Sequence, residues 1–390
     1  MIGFLNVGQV SLSRSQPVTN QATQLNPTTK NHDLRVDLGQ RSYAIRIESG
    51  VLDKLAEVAA SVVSQKHVVV VTDSNVGPIY LQEVVSQLQT CATRVDQITV
   101  DAGEKSKCVS VCDELWQRID DVNTDRHSVI VALGGGVVGD LAGFIAASYA
   151  RGLNFLQIPT SLLAQVDSSV GGKVGINLPN SKNMVGAFWQ PKQVVIDPAV
   201  LKTLDDANYV AGMAEVIKYG LIMDEPLFEF LEANVDAIKS RDLEVLSKII
   251  SWCCQCKADV VQEDETESTG RRAILNYGHT YGHAIETVFG YGEYLHGQAI
   301  SIGMDCAARL AKELGMVDQE FCDRQTKLFK AVGLPTDCPD DQHDAMLSAM
   351  MRDKKVVGGV LKFILPTRIG HVELVDSPGD EAILRSLKNA

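Results

Sequence analysis

The sequence predicts a doubly wound α/β N-terminal domain followed by a mostly α-helical domain, on three observations. Short β-branched runs alternate with helical periods between Val68 and Ile196. One of these runs, Ser128–Leu133, passes straight into a glycine-rich turn and then a helix. From about Asn208 onward the apolar residues fall almost entirely at helical spacing. A chain of 390 residues exceeds one core of ordinary size. The expected division is therefore a polar, disordered tail over residues 1–33, the α/β domain over 34–206 and the helical domain over 207–390.

Leu34–Leu38 and Tyr43–Ile47 alternate around Gly39-Gln40, which predicts a hairpin or two early strands. A helix over Val51–Ser64 precedes Val68–Thr72, a continuous β-branched run of the kind buried on both faces of a parallel sheet. Asp73 and Asn75 follow at its carboxyl end, where ligands bind in open α/β sheets. Helix Val76–Gln89, strand Gln97–Val100, a polar turn, helix Cys108–Ile119 and strand Ser128–Leu133 continue the alternation.

The segment Gly134-Gly135-Gly136-Val137-Val138-Gly139-Asp140 fits GxGxxG between strand and helix, so its amides can approach a pyrophosphate at the helix N-terminus. The acidic residue expected about 20 positions later is absent, since the next carboxylate after Asp140 is Asp167. Asp73 could hold the ribose instead, and glycines serving only a tight turn and close packing are the alternative. Strand Asn154–Ile158 ends at Pro159-Thr160-Ser161. Residues 164–188 then scatter Asp167, Lys173, Lys182 and Asn183 among glycines, which reads as a long functional loop, with solvated surface lysines as the alternative. Strand Gln193–Ile196 closes the α/β domain.

In the helical domain, Glu215 and Lys218 are three apart and share a helix face, as either a ligand beside a cation or an exposed ion pair. Lys257 and Asp259 lie on a long helix before the acidic turn Glu263–Glu267. Residues 272–297 carry the densest chemistry. His279 and His283 are four apart on one helical face, and His296 can return from a second helix after the turn Phe289–Gly292. Thr280 stands where the HExxH zinc-protease motif needs glutamate. The pattern reads as a metal and substrate site, against the alternative of two buried, hydrogen-bonded histidines. Helices at Ile300–Leu314, Phe321–Val332 and His343–Met351 follow, then a lysine pair, a glycine turn and two short strands.

Composition limits the function. The balance of 36 basic against 49 acidic residues gives −13, which argues against general affinity for nucleic acid or anionic membranes, so an anionic ligand needs a local Lys/Arg cluster. The nine cysteines lack paired zinc-finger spacing and read as reduced thiols of a cytoplasmic protein. The apolar stretch Val129–Ala150 contains three consecutive glycines and Asp140, which fits a strand, turn and helix and not a membrane span. The first 33 residues carry no basic segment followed by a continuous apolar run; a weak targeting role or an over-long start is the alternative to a plain tail.

In order, GGGVVGD, QVDSSVGGK, KNMVGAF, AEVIKYG, KADVV, LNYGHTYGHAIE, LHG and RDKK resemble the 3-dehydroquinate synthase family from about Leu34 to the C-terminus. The resemblance implies an N-terminal NAD-binding domain, a C-terminal helical metal-binding domain and an active site between them. It implies Glu215, His279 and His296 as ligands of Zn2+ or Co2+. His283, Arg151, Asp167, Lys173, Asn183, Lys218, Lys257, Arg272, Asn276 and Lys354 are implied as substrate-binding and catalytic residues, with Lys355 an alternative to Lys354. Asp73, Asn75, Glu104, Lys105, Lys107, Gly136, Val137, Val138, Gly139, Asp140, Thr160, Ser161, Lys173, Lys182, Lys202 and Thr203 are implied as NAD contacts.

The implied substrate is the sugar phosphate 3-deoxy-D-arabino-heptulosonate 7-phosphate. It is oxidised at C5 by NAD+, loses phosphate, is reduced again at C5, opens and closes by an aldol step to 3-dehydroquinate. A homodimer is also implied. Three segments depart from the family pattern: Leu178-Pro179-Asn180-Ser181-Lys182-Asn183 for HPxGKN, His296-Gly297-Gln298-Ala299 for HGEA, and Thr203-Leu204-Asp205 for TLP. Loss of a carboxylate at Gln298, beside a ligand, puts metal affinity or pH optimum in question. The rival readings are a sister cyclase such as 2-epi-5-epi-valiolone synthase, a metal-dependent alcohol dehydrogenase and a non-catalytic NAD-binding scaffold. Asn276 and the Lys354-Lys355 pair favour the first-named family over its sister, and the filled ligand and lysine positions disfavour a scaffold.

Overall fold

The computed structural model describes residues 32–179, 181–290, 292–352, 361–376 and 378–389. Lys354 and Lys355, the glycine turn after them, and nearly all of the expected tail lie outside the described residues.

The β-branched runs fold into strands β1 (His32–Val36), β2 (Tyr43–Ile47), β3 (His67–Asp73), β4 (Arg94–Val100), β5 (Val129–Gly134) and β6 (Asn154–Pro159), with β7 (Lys173–Leu178), β8 (Ser181–Phe188) and β9 (Gln193–Ile196) after them. Among the described residues one sheet runs β1-β2-β9-β6-β5-β3-β4, parallel except where β1 meets β2. From β3 the chain steps outward to β4, then returns to the other side of β3 for β5 and β6. The winding therefore reverses between β3 and β5, and the crevice at their carboxyl ends is the switch point where such sheets take ligands. Asp73 ends one strand and the Gly134-Gly135-Gly136 turn ends the other.

Val68, Val69, Val70 and Val71 are all 0% exposed, because helices cover both faces of the sheet. Val68 and Val70 pack with Leu55 and Val84 on one face, while Val69 and Val71 pack with Leu115 and Leu141 on the other. Each such valine contributes roughly 1.5–3 kcal/mol of burial, which fixes the register of the central strands.

The stretch 164–188 is not a loop. Ala164–Ser168 forms a π-helical turn, and β7 and β8 pair as an antiparallel hairpin against helix α1 (Gly136–Ser148). A Cβ at Gly143 of α1 would lie 2.3 Å from Val174 Cγ1, so the hairpin rests where the helix has no side chain. The predicted helix over Val51–Ser64 is instead a 3-10 turn and two one-turn helices.

Helix α2 (Asp206–Met223) is capped by Asp205, whose side chain accepts from the backbone of Asn208. It is buried over most of its length, between α3 (Leu243–Glu263) and α5 (His296–Glu313), and α5 in turn packs against α4 (His279–Phe289). The two short strands expected near the C-terminus, β10 (Lys362–Arg368) and β11 (His371–Asp376), pair antiparallel. One hydrophobic cluster runs from β1, β2 and β9 through α2, α3, α4 and α5, so the α/β part and the helical part share a core.

Candidate active site

Helices α2, α4 and α5 bring Glu215, His279 and His296 together, with ligand atoms all within 4.8 Å of one another. The Nε2 atoms of His279 and His296 lie 3.7 and 3.9 Å from Glu215 Oε1. His279 Nδ1 donates to the Tyr277 carbonyl at 3.1 Å, and His296 Nδ1 lies 3.3 Å from Glu286 Oε1. Those contacts place the ring protons on Nδ1 and leave both Nε2 lone pairs facing the carboxylate. Glu215 is 2% exposed, and its Oε1 accepts no hydrogen bond from a described residue. Its counter-charge is Lys218, equally buried and in ion-pair contact on the same helix. A buried carboxylate facing two imidazole lone pairs is the donor set of a divalent ion such as Zn2+ or Co2+, and the residues fit one. His283 stays beside this triad, its ring centroid 5.4 Å from His279 and 6.3 Å from His296.

A second group surrounds Asp167. Its Oδ1 receives the Lys257 ammonium and the Tyr219 hydroxyl, both at 2.8 Å, and Lys257 also donates to the Asp167 carbonyl at 2.6 Å. Burial opposes ionisation of Asp167, but Lys257, Lys218 and the Tyr219 hydroxyl hold its carboxyl far below the usual range. Burial draws the Lys257 ammonium downward despite Asp167.

Arg272 is buried against the hairpin, donating to the Gly171 carbonyl at 3.2 Å and lying 5.8 Å over the Phe188 ring. Its Nε finds no partner among the described residues. Lys173 is half-exposed and pairs with Glu267. Asn276 ends the 3-10 turn Arg271–Asn276 just before the histidine helix. Arg151 is not brought into either group: it is exposed, with φ +66°, beyond the C-terminal end of α1.

The glycine turn opens onto the switch point. A Cβ at Gly135 would lie 3.3 Å from Ser161 Oγ, and one at Gly136 3.1 Å from Ser168 Oγ, so a side chain at either position would crowd a serine hydroxyl and narrow the approach to this backbone. Thr160 is tied to the turn by its amide, 2.9 Å from the Gly134 carbonyl. Val137 and Gly139 are partly exposed on the first turn of α1, but the Val138 side chain is fully buried in the core, so only its backbone can face a ligand.

Lys107, also buried, donates to Asp140 at 2.7 Å and Asn183 at 2.6 Å and sits 3.5 Å from Glu104. This ties the hairpin to α1. Asp73 Oδ1 accepts from the amides of Asn75 and Val76, both at 2.9 Å. Thr203 meets the Tyr80 hydroxyl at 2.5 Å, while Lys105 and Lys202 are exposed nearby in sequence. Lys182 crosses to the metal side, 3.2 Å from Glu286 Oε1.

Family profiles described as 3-dehydroquinate synthase N-terminal and C-terminal match residues 97–211 and 212–356. The chain belongs to the 3-dehydroquinate synthase family. It is 48% identical to the 3-dehydroquinate synthase of Rhodopirellula baltica over 357 residues, which is 90% of this chain and 95% of that one. Two solved sugar phosphate cyclases share its fold. A 2-deoxy-scyllo-inosose synthase complexed with carbaglucose-6-phosphate, NAD+ and Co2+ is 25% identical, with a TM-score of 0.81 over 91% of this chain and 100% of that one. The 2-epi-5-epi-valiolone synthase of Streptomyces hygroscopicus, with NAD+ and Zn2+ bound, is 26% identical, with a TM-score of 0.82 over 90% of this chain and 97% of that one.

The departures from the 3-dehydroquinate synthase pattern have local explanations. Gln298 Oε1 accepts from the Leu295 amide at 2.9 Å, the helix-capping contact that a glutamate makes at this position. Asp205 supplies the N-cap of α2 where the family has proline. The LPNSKN segment falls at the turn of the β7–β8 hairpin, with Asn180 outside the described residues. Sequence reasoning passed over Glu286 and Tyr219, both inside the motifs it used. Glu286 lies seven residues after His279 and three after His283, the spacing of a shared helical face. Tyr219 sits beside Lys218 and gave no signal of its own.

Proposed function

We propose that this chain converts 3-deoxy-D-arabino-heptulosonate 7-phosphate to 3-dehydroquinate and phosphate, with NAD as a recycled cofactor and Zn2+ or Co2+ held by Glu215, His279 and His296. The observation that carries this reading is the convergence of that triad with the buried cations Lys218 and Lys257 in a chain of the family. Bound there, the metal supplies Lewis acidity toward a sugar hydroxyl, and the dinucleotide supplies reversible hydride acceptance.

The side chains do the rest. Lys218, Lys257, Arg272 and Lys173 offer positive charge to the carboxylate and phosphate of the substrate, in a protein whose net charge of −13 attracts neither. Asp167, ionised and held by Tyr219 and Lys257, orients that cluster. His283, close to the triad, is placed to move a proton at a ring nitrogen. Asn183, Asn276 and Lys354 complete the proposed substrate contacts, and Arg151, exposed and outside both groups, is proposed as one on the family resemblance alone. The glycine turn, Asp73, Asn75, Glu104, Lys105, Lys107, Asp140, Thr160, Ser161, Lys182, Lys202 and Thr203 form the proposed dinucleotide cleft at the switch point. In this reading the chain divides near residue 206 and works as a cytoplasmic homodimer. Among the described residues no helix is long and apolar enough to cross a membrane.

The test separates a cyclase from a dehydrogenase of the same fold. With a trace of NAD+ and excess heptulosonate phosphate, released phosphate should exceed the cofactor many times over while NADH absorbance stays near zero, and the product should be 3-dehydroquinate. Phosphate limited to the NAD+ added, with equivalent NADH, would show that the hydride does not return.

A further inference from the structure

Glu286 stands where three elements meet. It lies on α4 and is 4% exposed. Its Oε1 is 3.3 Å from His296 Nδ1 on α5 and 3.2 Å from Lys182 Nζ on β8, so a metal-site histidine and a hairpin lysine share one oxygen. Along β8, the residue after Lys182 is Asn183, which meets Lys107 and thereby Asp140 on the first turns of α1. The hairpin therefore has one residue on the glycine-turn side and the next on the metal side, and Glu286 is the contact between them.

We propose that Glu286 is a positioning residue that couples the metal site to the dinucleotide site, by fixing the His296 imidazole through Nδ1 and sharing that oxygen with Lys182. The inference rests on the dinucleotide reading given under Proposed function. An imidazole that donates Nδ1–H to a carboxylate is the more basic at Nε2 and holds a metal more tightly. An ammonium on the same oxygen weakens that effect. A dinucleotide offers Lys182 anionic phosphate oxygens, which draws the ammonium away and leaves the oxygen to His296. Metal and dinucleotide then bind with positive cooperativity, and linkage makes the effect equal in both directions. An ordinary Lys182–Glu286 ion pair that only braces the hairpin would change stability and leave metal affinity alone.

The experiment uses metal-free full-length protein and titrates Co2+ in a chelator buffer, reading its visible absorption, with and without saturating NAD+. In the wild type NAD+ should tighten Co2+ roughly fivefold or more. Glu286→Gln should weaken Co2+ about tenfold or more and lose the NAD+ effect. Lys182→Met, on the partly exposed hairpin, should remain folded and also lose the NAD+ effect, which keeps the coupling testable if the buried Glu286 variant does not fold. Wild-type Co2+ affinity in folded Glu286→Gln, or an NAD+ effect that survives in either variant, overturns the coupling while leaving the reading of the site intact. A wild-type protein that binds neither Co2+ nor NAD+ overturns that reading itself, and the coupling with it.

Discussion

Tyr219 and Lys257 reach the same oxygen of Asp167 from two helices, each at 2.8 Å. Tyr219 lies fully buried on α2, beside Lys218 and four residues beyond Glu215, so its hydroxyl connects the helix that bears the metal-site carboxylate to the cation cluster. Burial pushes the phenol well up, so it remains a donor at working pH. Tyr219→Phe keeps the ring and removes one hydrogen bond to a charged acceptor, worth roughly 1.5–3 kcal/mol. The expected outcome is a fall in kcat of about tenfold or more with a small change in Tm. A variant with wild-type kcat would make Tyr219 a packing residue only.

Asp264 ends α3 and organises the approach to Arg272. Its Oδ1 accepts from the amides of Ser268 at 2.8 Å and Thr269 at 3.0 Å, and its Oδ2 from Arg272 at 3.2 Å. Burial opposes ionisation, but the Thr269, Arg272 and Ser268 amides, with the Thr269 hydroxyl, hold the pKa down to about 2, against 3.8 ordinarily. A depressed carboxyl contributes stability that is complete above its unfolded pKa and is lost as pH falls through the folded one. That contribution should be present at pH 5 and fade between about pH 4 and pH 2. Asp264→Ala should lose roughly 1–3 kcal/mol at pH 7 and show a shallower decline in stability over the acid range, read by denaturant unfolding. An unchanged acid slope would exclude Asp264 as a source of it.

The central sheet was legible because Val68–Val71 form a β-branched run that only a strand buried on both faces can house, and the glycine turn was legible because it follows such a strand directly. The β7–β8 hairpin was not. Gly175 and Gly186 face each other across it, and a Cβ on Gly186 would sit 2.3 Å from the Val174 carbonyl, so these residues mark a close strand crossing in a pattern that reads locally as loop. Spacing alone united His279 and His283, and only the family resemblance joined Glu215 to His279 and His296, the three residues whose ligand atoms packing brings within 4.8 Å of one another. Glu286 was illegible for a related reason, since its two partners lie on α5 and β8, and no local pattern announces either contact.

Removal of the metal should be felt by Glu215 first. A bound ion would face a carboxylate that has Lys218 as its counter-charge on Oε2 and an Oε1 that accepts no hydrogen bond from a described residue. Chelation should abolish turnover and lower Tm, and Zn2+ or Co2+ should restore both. Glu215→Ala and His279→Ala should be inactive after chelation and stay so when metal is added back. Glu215→Ala should also unfold more easily than His279→Ala, because it leaves the Lys218 ammonium buried without a partner. Full activity of either variant after chelator treatment would sink the triad as a metal site.

Gly297 sets the distance between the helices that carry two of the three proposed metal ligands. A Cβ at this position would lie 1.8 Å from the carbonyl oxygen of Ala211 and 2.5 Å from its carbonyl carbon, an overlap with backbone that no rotamer change can relieve. Ala211 is one helical turn before Glu215 on α2, and Gly297 directly follows His296 on α5, so the close approach at the glycine fixes the 3.9 Å between His296 Nε2 and Glu215 Oε1. Alanine favours a helix by about 0.8–1.0 kcal/mol over glycine, so on propensity alone Gly297→Ala should stabilise the protein. The overlap acts in the opposite sense and is larger, since overpacking typically costs about 1–3 kcal/mol and here the obstacle is a neighbouring helix backbone. The helices must separate, and the imidazole moves with α5. The expected outcome is a folded protein with lower Tm and Co2+ affinity reduced about tenfold or more, from displacement of a ligand by a few tenths of an ångström. Wild-type Co2+ affinity in Gly297→Ala would show that the α2–α5 contact does not set the geometry of the triad.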